Sequence, residues 1–166
     1  MLPLSDGIIL INENNRIYLY RSVNTWFLFK IMEDLLTNKG MVIDGIRYLS
    51  PKETFEALRT GVILVDVRPS LQINMKAFDV EDIIYCPYSE FKNSYSCIPK
   101  DKPVVLADAV GLRSKECVKI LLENGYLHVA SMAGGIMDWE HDGLPLQTNS
   151  ENLLNGPCLC RLRRKK

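Results

Sequence analysis

A short loop between two regular elements holds the residues with the clearest chemical potential in this sequence. The apolar run 103–107 leads into the segment 108–114, and a helical pattern follows over 115–124. A strand, a tight loop and a helix N-terminus in this order direct several backbone N–H groups, and the positive end of the helix dipole, at one place. The order of elements therefore predicts an anion-binding loop.

The first residue of this loop, Asp108, is itself an anion. It is followed by the loop residues Ala109, Val110, Gly111, Leu112, Arg113 and Ser114. A carboxylate here could accept the loop N–H groups and cap the following helix, because Asp is a favoured capping residue. It could instead help to bind a partner, or take part directly in catalysis, and the sequence leaves all three interpretations open.

Arg113 and Ser114 follow in the same loop. Arg113 is expected to pair with Asp108, to hold an incoming anion, or to form a plain structural ion pair. The Ser114 hydroxyl is expected either to cap the helix or to line the pocket.

The segment 108–114 resembles the active-site loop of the rhodanese-like (sulfurtransferase) family, in which a Cys is followed by four loop residues and an Arg. Gly111, Arg113 and Ser114 fit that pattern. Residues 64–68, Leu-Val-Asp-Val-Arg, resemble the family's strand ending in Asp-x-Arg, and residues 134–145 resemble its closing segment. The resemblance implies the family's fold, an α/β domain whose central parallel sheet is flanked by helices on both faces.

Two departures from the family pattern bear on function. In an active member the loop Cys carries a persulfide, and here that position holds Asp108. Residues 78–87 also lack the His and both Gly of the family's usual segment. The resemblance therefore implies a rhodanese-fold protein without sulfurtransferase activity at this loop. Such a protein would be a binding or regulatory module for an unknown protein or small-molecule partner at 108–114.

Asp66 and Arg68 are expected near the same edge of the sheet, at the end of a central strand. The family resemblance implies that they shape the floor of the pocket. The alternative is a structural charge pair that packs neighbouring loops.

Cysteines offer an alternative nucleophile. Cys158 and Cys160 precede a basic run at 161–166, whose positive charges favour thiolates. These two could carry a persulfide and make the chain a sulfurtransferase or sulfur carrier, could serve a thiol-based metal or redox role, or could belong to an inert tail. Two Cys alone do not complete a zinc site, and we expect no metal or cofactor.

The other three cysteines, Cys86, Cys97 and Cys117, are isolated in the sequence. We expect them to act as small hydrophobic residues. Cys117 follows Asp108 by two helical turns or more, which makes it a poor substitute nucleophile.

Alternating apolar runs and helical patterns give the elements that must position these residues. The predicted strands are 46–49, 62–67, 83–86, 104–107 and 127–130, and the predicted helices are 50–59, 115–124 and 135–140. Ser50 and Glu53 have the spacing of a capping box, and Val118, Leu121 and Leu122 the spacing of a buried helix face. In such folds function lies at the carboxyl ends of the strands.

Composition sets broad limits. The chain has 166 residues, five Cys and a formal net charge of zero, so no overall field attracts nucleic acid or membrane. We expect neither of those partners and a cytoplasmic location. The predicted organisation is an N-terminal extension over 1–40, a rhodanese-like domain over 41–147 and a flexible Cys-x-Cys basic tail over 148–166.

Overall fold

A mostly parallel sheet forms the centre of the molecule. The computed structural model describes the backbone of residues 7–11 and 17–21, residue 36, and residues 38–148. The described strands are Gly7–Ile11 (β1), Ile17–Arg21 (β2), Met41–Ile43 (β3), Ile46–Leu49 (β4), Ile63–Asp66 (β5), Lys76–Phe78 (β6), Ile83–Tyr85 (β7), Val104–Ala107 (β8), Val129–Met132 (β9) and Leu146–Thr148 (β10). The described helices are Pro51–Leu58 (α1), Ser70–Met75 (α2), Phe91–Ser94 (α3), Leu112–Glu123 (α4) and Gly135–His141 (α5), with a 3-10 turn at Tyr95–Cys97.

Six strands pair in the order β3-β4-β9-β8-β5-β7. All neighbours are parallel except β3 and β4, which form an antiparallel hairpin at one edge. Two further antiparallel pairs, β1 with β2 and β6 with β10, lie outside this sheet. Asp66 and Ala107 are register partners at the ends of β5 and β8, so the loops after these two strands leave the sheet side by side.

Helices cover both faces of the sheet. Successive residues of each strand point to opposite sides, so a strand with apolar residues throughout places apolar side chains on both faces. In β8, Val104 and Leu106 pack in the cluster that includes Val118 and Leu121 of α4. Val105 and Ala107 pack in the opposite cluster, together with Ala57 of α1 and with Ile136 and Trp139 of α5. The predicted α/β fold, with a central parallel sheet flanked by helices, is confirmed.

Helix α1 begins as its sequence predicts. The Ser50 hydroxyl accepts the Glu53 N–H, and the Glu53 carboxylate accepts the Ser50 N–H at 2.9 Å, which completes a capping box. This bond to the Ser50 N–H is the main reason that the pKa of Glu53 lies below its usual value of 4.5.

Helix α4 differs from its prediction at its start and on one face. It begins at Leu112, three residues earlier than expected, and Gly125 follows its C-terminus in the left-handed conformation. Val118 and Leu121 are buried as predicted, but Leu122 is exposed and Cys117 is buried instead. The prediction for Leu122 was wrong because Cys117 completes the apolar stripe from the other side.

Strand boundaries show two further differences. The last parallel strand, β9, runs from Val129 to Met132 rather than over 127–130, and Leu127 is exposed. The edge strand β3 was not predicted. It is joined to β4 through Asp44 and Gly45, which both have positive φ, as a tight hairpin turn requires.

Helix α5 and the segment that follows it close the core. Trp139 is fully buried, its ring contacts Phe55 and Phe78 edge-on, and its indole N–H donates to the Pro145 carbonyl at 2.9 Å. Across 38–148, no helix is long and apolar enough to cross a membrane.

Candidate functional site

The Asp108 carboxylate lies inside its own loop. Asp108 directly follows β8 and its side chain is 3% exposed. One carboxylate oxygen accepts the Gly111 N–H at 2.5 Å and the Ser114 hydroxyl at 3.2 Å, and the other accepts the Arg113 N–H at 2.9 Å. Such charge-assisted bonds are stronger than neutral ones. The N–H groups that could receive an external anion are therefore occupied by a side chain of the chain itself.

Asp108 reaches the helix without being its capping residue. The N-cap of α4 is Gly111, whose φ of +88° lies in the left-handed region that favours glycine. The loop thereby turns the Gly111 and Arg113 N–H groups back toward β8, where Asp108 begins the loop. Asp108 lies three residues before the cap position, Gly111. It nevertheless accepts the Arg113 N–H of the first helical turn, as a capping side chain would.

Ser114 connects this carboxylate to a residue that the sequence patterns did not single out. Its buried hydroxyl lies 2.9 Å from that of Ser131, a buried polar residue in the middle of β9. Ser131 is a polar residue in an otherwise apolar strand, as Asp66 is in β5, and this polar position was the available signal. Ser114 lies in the first turn of α4 and lines the buried side of the loop.

The start of α5 closes the opposite side of the loop. The Ile136 N–H donates to the Asp108 carbonyl at 2.9 Å, and the Met137 N–H donates to the Ala109 carbonyl at 3.3 Å. A Cβ atom at Gly135 would overlap the Asp108 carbonyl oxygen and lie 2.5 Å from the Ala109 carbonyl carbon, so only glycine permits this approach. Gly135 therefore allows the start of α5 to pack directly against the backbone of the loop.

The Arg113 side chain does not pair with Asp108. No described ion pair joins them, and the guanidinium lies over the Tyr88 ring, 5.6 Å from its centre. The Tyr88 hydroxyl in turn donates to the Glu116 carboxylate, and this bond raises the pKa of Tyr88. Arg113 is exposed and available to a ligand at the rim, whereas its backbone N–H serves Asp108.

The outer surface of the loop is apolar. Val110 and Leu112 are exposed, Leu112 at 70%, and Ala109 is half-buried. Met137, at the start of α5, is also exposed and lies next to Ala109 in the hydrogen-bonding pattern. Around a buried carboxylate, the chain therefore presents several uncovered aliphatic side chains and one arginine.

Asp66 and Arg68 form a closed pair at the neighbouring strand end. Two Arg68 nitrogens donate to the Asp66 carboxylate, the shortest contact being 2.6 Å, and a third donates to the Lys76 carbonyl at 3.0 Å. Asp66 is fully buried and Arg68 is 3% exposed. No described hydrogen bond connects this pair with the side chains of 108–114. The geometry matches the structural charge pair that the sequence left open as an alternative to a pocket floor.

The described cysteines fall into two groups. Cys86 and Cys117 are buried, and desolvation raises the pKa of both thiols, that of Cys117 to about 12. Cys97 is exposed, so the expectation that it fills the core was wrong. Cys158 and Cys160 lie outside the described residues. Within 38–148, no group of three or more His, Cys, Asp or Glu side chains could hold a metal ion.

Comparisons with known proteins agree with this fold. The chain is 27% identical over 108 residues to a thiosulfate sulfurtransferase GlpE of Haemophilus influenzae, covering 63% of this chain and 97% of the relative. It is 34% identical over 85 residues to a sulfurtransferase of Allochromatium vinosum, covering 51% of this chain and 78% of the relative. A rhodanese-related protein from Thermoplasma volcanium superposes with a TM-score of 0.56 at 24% identity, over 62% of this chain and 99% of that one.

The family comparison covers the site itself. The rhodanese-like domain family matches residues 50–142, a stretch that includes β5, the loop 108–114 and α5. The chain therefore belongs to the rhodanese-like domain family.

Proposed function

We propose that this rhodanese-like domain lacks sulfurtransferase activity at the 108–114 loop and acts as a binding or regulatory module. The observation that carries the proposal is the Asp108 carboxylate, buried and held by the Gly111 and Arg113 N–H groups. The proposal takes Asp108 as the counterpart of the nucleophilic Cys. It therefore departs from the sulfurtransferase names of the relatives.

The chemistry of sulfur transfer explains why the residue type matters. A thiolate attacks the outer sulfur of thiosulfate, forms a persulfide and releases sulfite, and cyanide then takes the sulfur as thiocyanate and regenerates the thiolate. The Asp108 carboxylate cannot form the sulfur–sulfur bond. It also places a negative charge where the thiosulfate anion would bind, and the two would repel each other.

The exposed rim supports a binding role for the same loop. Val110 and Leu112 are uncovered and Arg113 lies beside them with an exposed side chain. Exposed apolar groups next to a charged rim are typical of interaction sites. The rigid core of the loop, closed from within by Asp108, would present these side chains in a fixed arrangement.

A turnover assay tests the proposal. We expect no thiosulfate:cyanide transfer above the uncatalysed rate from the purified full chain. Turnover that survives both Asp108→Asn and the double substitution Cys158→Ser with Cys160→Ser would overturn it, because the chain would then be a sulfurtransferase that needs neither the loop carboxylate nor the tail thiols.

A second candidate function rests on the tail sequence alone. Cys158 and Cys160 stand two residues apart beside a basic run, a setting that favours thiolates. In this alternative they carry persulfide and the loop orients an acceptor. Incubation with thiosulfate followed by peptide mass spectrometry separates the candidates. Addition of one sulfur atom to the tail peptide supports the carrier, and an unmodified tail supports the binding module.

A further inference from the structure

A groove next to the loop combines apolar and cationic side chains. It has a volume of about 580 Å³ and lies between α3 and α4. Its walls include Tyr88, Phe91 and Lys92 on one side and Glu116, Lys119 and Ile120 on the other. This volume falls in the range of protein sites that bind small ligands or short segments.

The α4 wall follows from the helical repeat. Glu116, Lys119 and Ile120 are spaced by three and four residues from the first, so they share one face of the helix. The opposite face, with Val118 and Leu121, is buried against the sheet. The groove is a neighbour of the 108–114 loop, because the Arg113 guanidinium lies over the ring of Tyr88, one of the groove residues.

The charges in the groove favour an acidic ligand. Lys92 and Lys119 are both exposed, and neither has an acidic partner within 4 Å among the described residues. The acidic side chain of the groove, Glu116, accepts the Tyr88 hydroxyl, and Arg113 stacks on the same ring. Two unpaired lysines and the nearby arginine therefore outweigh one engaged carboxylate.

We propose that this groove binds an acidic peptide segment of a partner protein that also carries apolar residues. Carboxylates of the segment would pair with Lys92 and Lys119, and an apolar side chain would contact Tyr88 and Ile120. This inference rests on the proposed function, since it names the kind of partner that such a binding module would take. Electrostatic complementarity of this kind speeds the encounter between the groove and an acidic segment, and it disfavours binding of basic segments.

Fluorescence polarisation with a short fluorescein-labelled peptide of alternating Glu and Leu tests the inference. We expect saturable binding that weakens as salt is raised, because exposed charge pairs are screened. Lys92→Glu and Lys119→Glu should each weaken binding roughly tenfold. Lys102→Glu is the matched control, since it makes the same change of net charge at an exposed lysine that does not line the groove, and should leave binding unchanged.

Several results would overturn the inference. The first is an absence of binding. The second is that an alternating Lys and Leu peptide, or an alternating Glu and Ser peptide, binds as tightly as the Glu and Leu peptide. The third is that Lys102→Glu weakens binding as much as Lys92→Glu or Lys119→Glu does. Binding to phosphatidylserine vesicles in place of the peptide would do the same. The sulfur-transfer assay is independent of this test. If the chain is inactive toward thiosulfate and also fails to bind the peptide, only the inference about the groove is contradicted. If the chain binds the peptide but turns over thiosulfate, only the proposed function is contradicted.

Discussion

Two buried carboxylates lie at the same edge of the sheet and are stabilised in different ways. Asp66 ends β5 and Asp108 follows its neighbour β8, and both side chains are at most 3% exposed. Asp66 is neutralised by the Arg68 guanidinium, with a shortest contact of 2.6 Å. Asp66 also accepts the Arg68 N–H, at 3.0 Å. Asp108 has no cationic partner within 4 Å among the described residues, and it accepts two backbone N–H groups and one hydroxyl.

The difference separates a carboxylate matched to one arginine from a carboxylate held by a loop backbone. An ion pair matches one carboxylate to one arginine, and removal of either partner leaves a buried charge. Backbone N–H groups carry no such requirement, because they can hold a carboxylate, a thiolate or a bound anion in turn. We therefore expect the loop 108–114 to accept a change of its first residue from carboxylate to thiol, and the Asp66–Arg68 pair to be intolerant of such a change.

The isosteric change Asp66→Asn is expected to lower the free energy of unfolding more than any other substitution considered. It leaves the buried Arg68 guanidinium without its counter-charge, and breaking a buried pair in this way typically costs about 3–5 kcal/mol. Urea denaturation of the wild-type chain and the variant measures the loss. A loss no larger than that caused by Asp108→Asn would remove the distinction between the two carboxylates.

Gly135→Ala tests how tightly α5 holds the Asp108 loop. The new Cβ would overlap the Asp108 carbonyl oxygen, and Gly135 also has a φ of +58°. Gly143→Ala is the matched control, because its φ of +69° is similar and a Cβ added there would meet no atom within 4 Å. We expect Gly135→Ala to cost about 1–3 kcal/mol more than the control in the same denaturation experiment. Equal losses would mean that the close approach is unimportant.

Asp108→Asn should cost less than Asp66→Asn. The amide keeps one acceptor, but its NH₂ group cannot accept an N–H donor, so one of the bonds to Gly111 or Arg113 is lost. The expected loss is about 1–3 kcal/mol, the usual penalty for leaving a buried donor unsatisfied. Thermal unfolding monitored by circular dichroism measures it, and a neutral or stabilising effect would contradict the hydrogen bonding of Asp108.

Glu53 extends the comparison to a partly exposed carboxylate. Its substitution is expected to cause the smallest loss of stability. Its pKa is lowered in the folded state, chiefly by the Ser50 N–H. Its contribution to stability is therefore present above its usual pKa of 4.5 and is lost as the pH falls through the lowered value. Glu53→Gln should destabilise the chain by less than about 1 kcal/mol at neutral pH and not at all in strong acid. A difference that persists unchanged in acid would rule out the charge of Glu53 as its cause.

Sequence patterns predicted those parts of the fold that depend on local periodicity and capping. The apolar run of β8 and the Ser50–Glu53 capping box are both present. The start of α4 was misplaced because a left-handed Gly111 lets the helix begin inside the loop. The exposed Leu122 and Leu127 were misassigned because an apolar residue type does not say which neighbour covers it.

The candidate site was only partly accessible from sequence. The loop residues and Asp108 could be proposed as a site because their spacing is local. The Ser114–Ser131 contact, the Arg113–Tyr88 stacking and the approach of Gly135 join residues distant in the chain. No local pattern encodes such pairs, since they depend on strand order and on the way in which α5 packs against the loop.

Substitution of Asp108 by Cys tests the central claim most directly. The wild-type chain and Asp108→Cys, each incubated with thiosulfate and digested, are compared by mass spectrometry of the peptide that contains position 108. We predict that the variant gains one sulfur atom there, because the Gly111 and Arg113 N–H groups can stabilise a thiolate, and that the wild-type peptide remains unmodified. A folded variant that gains no sulfur, or a wild-type peptide that does, would contradict the account.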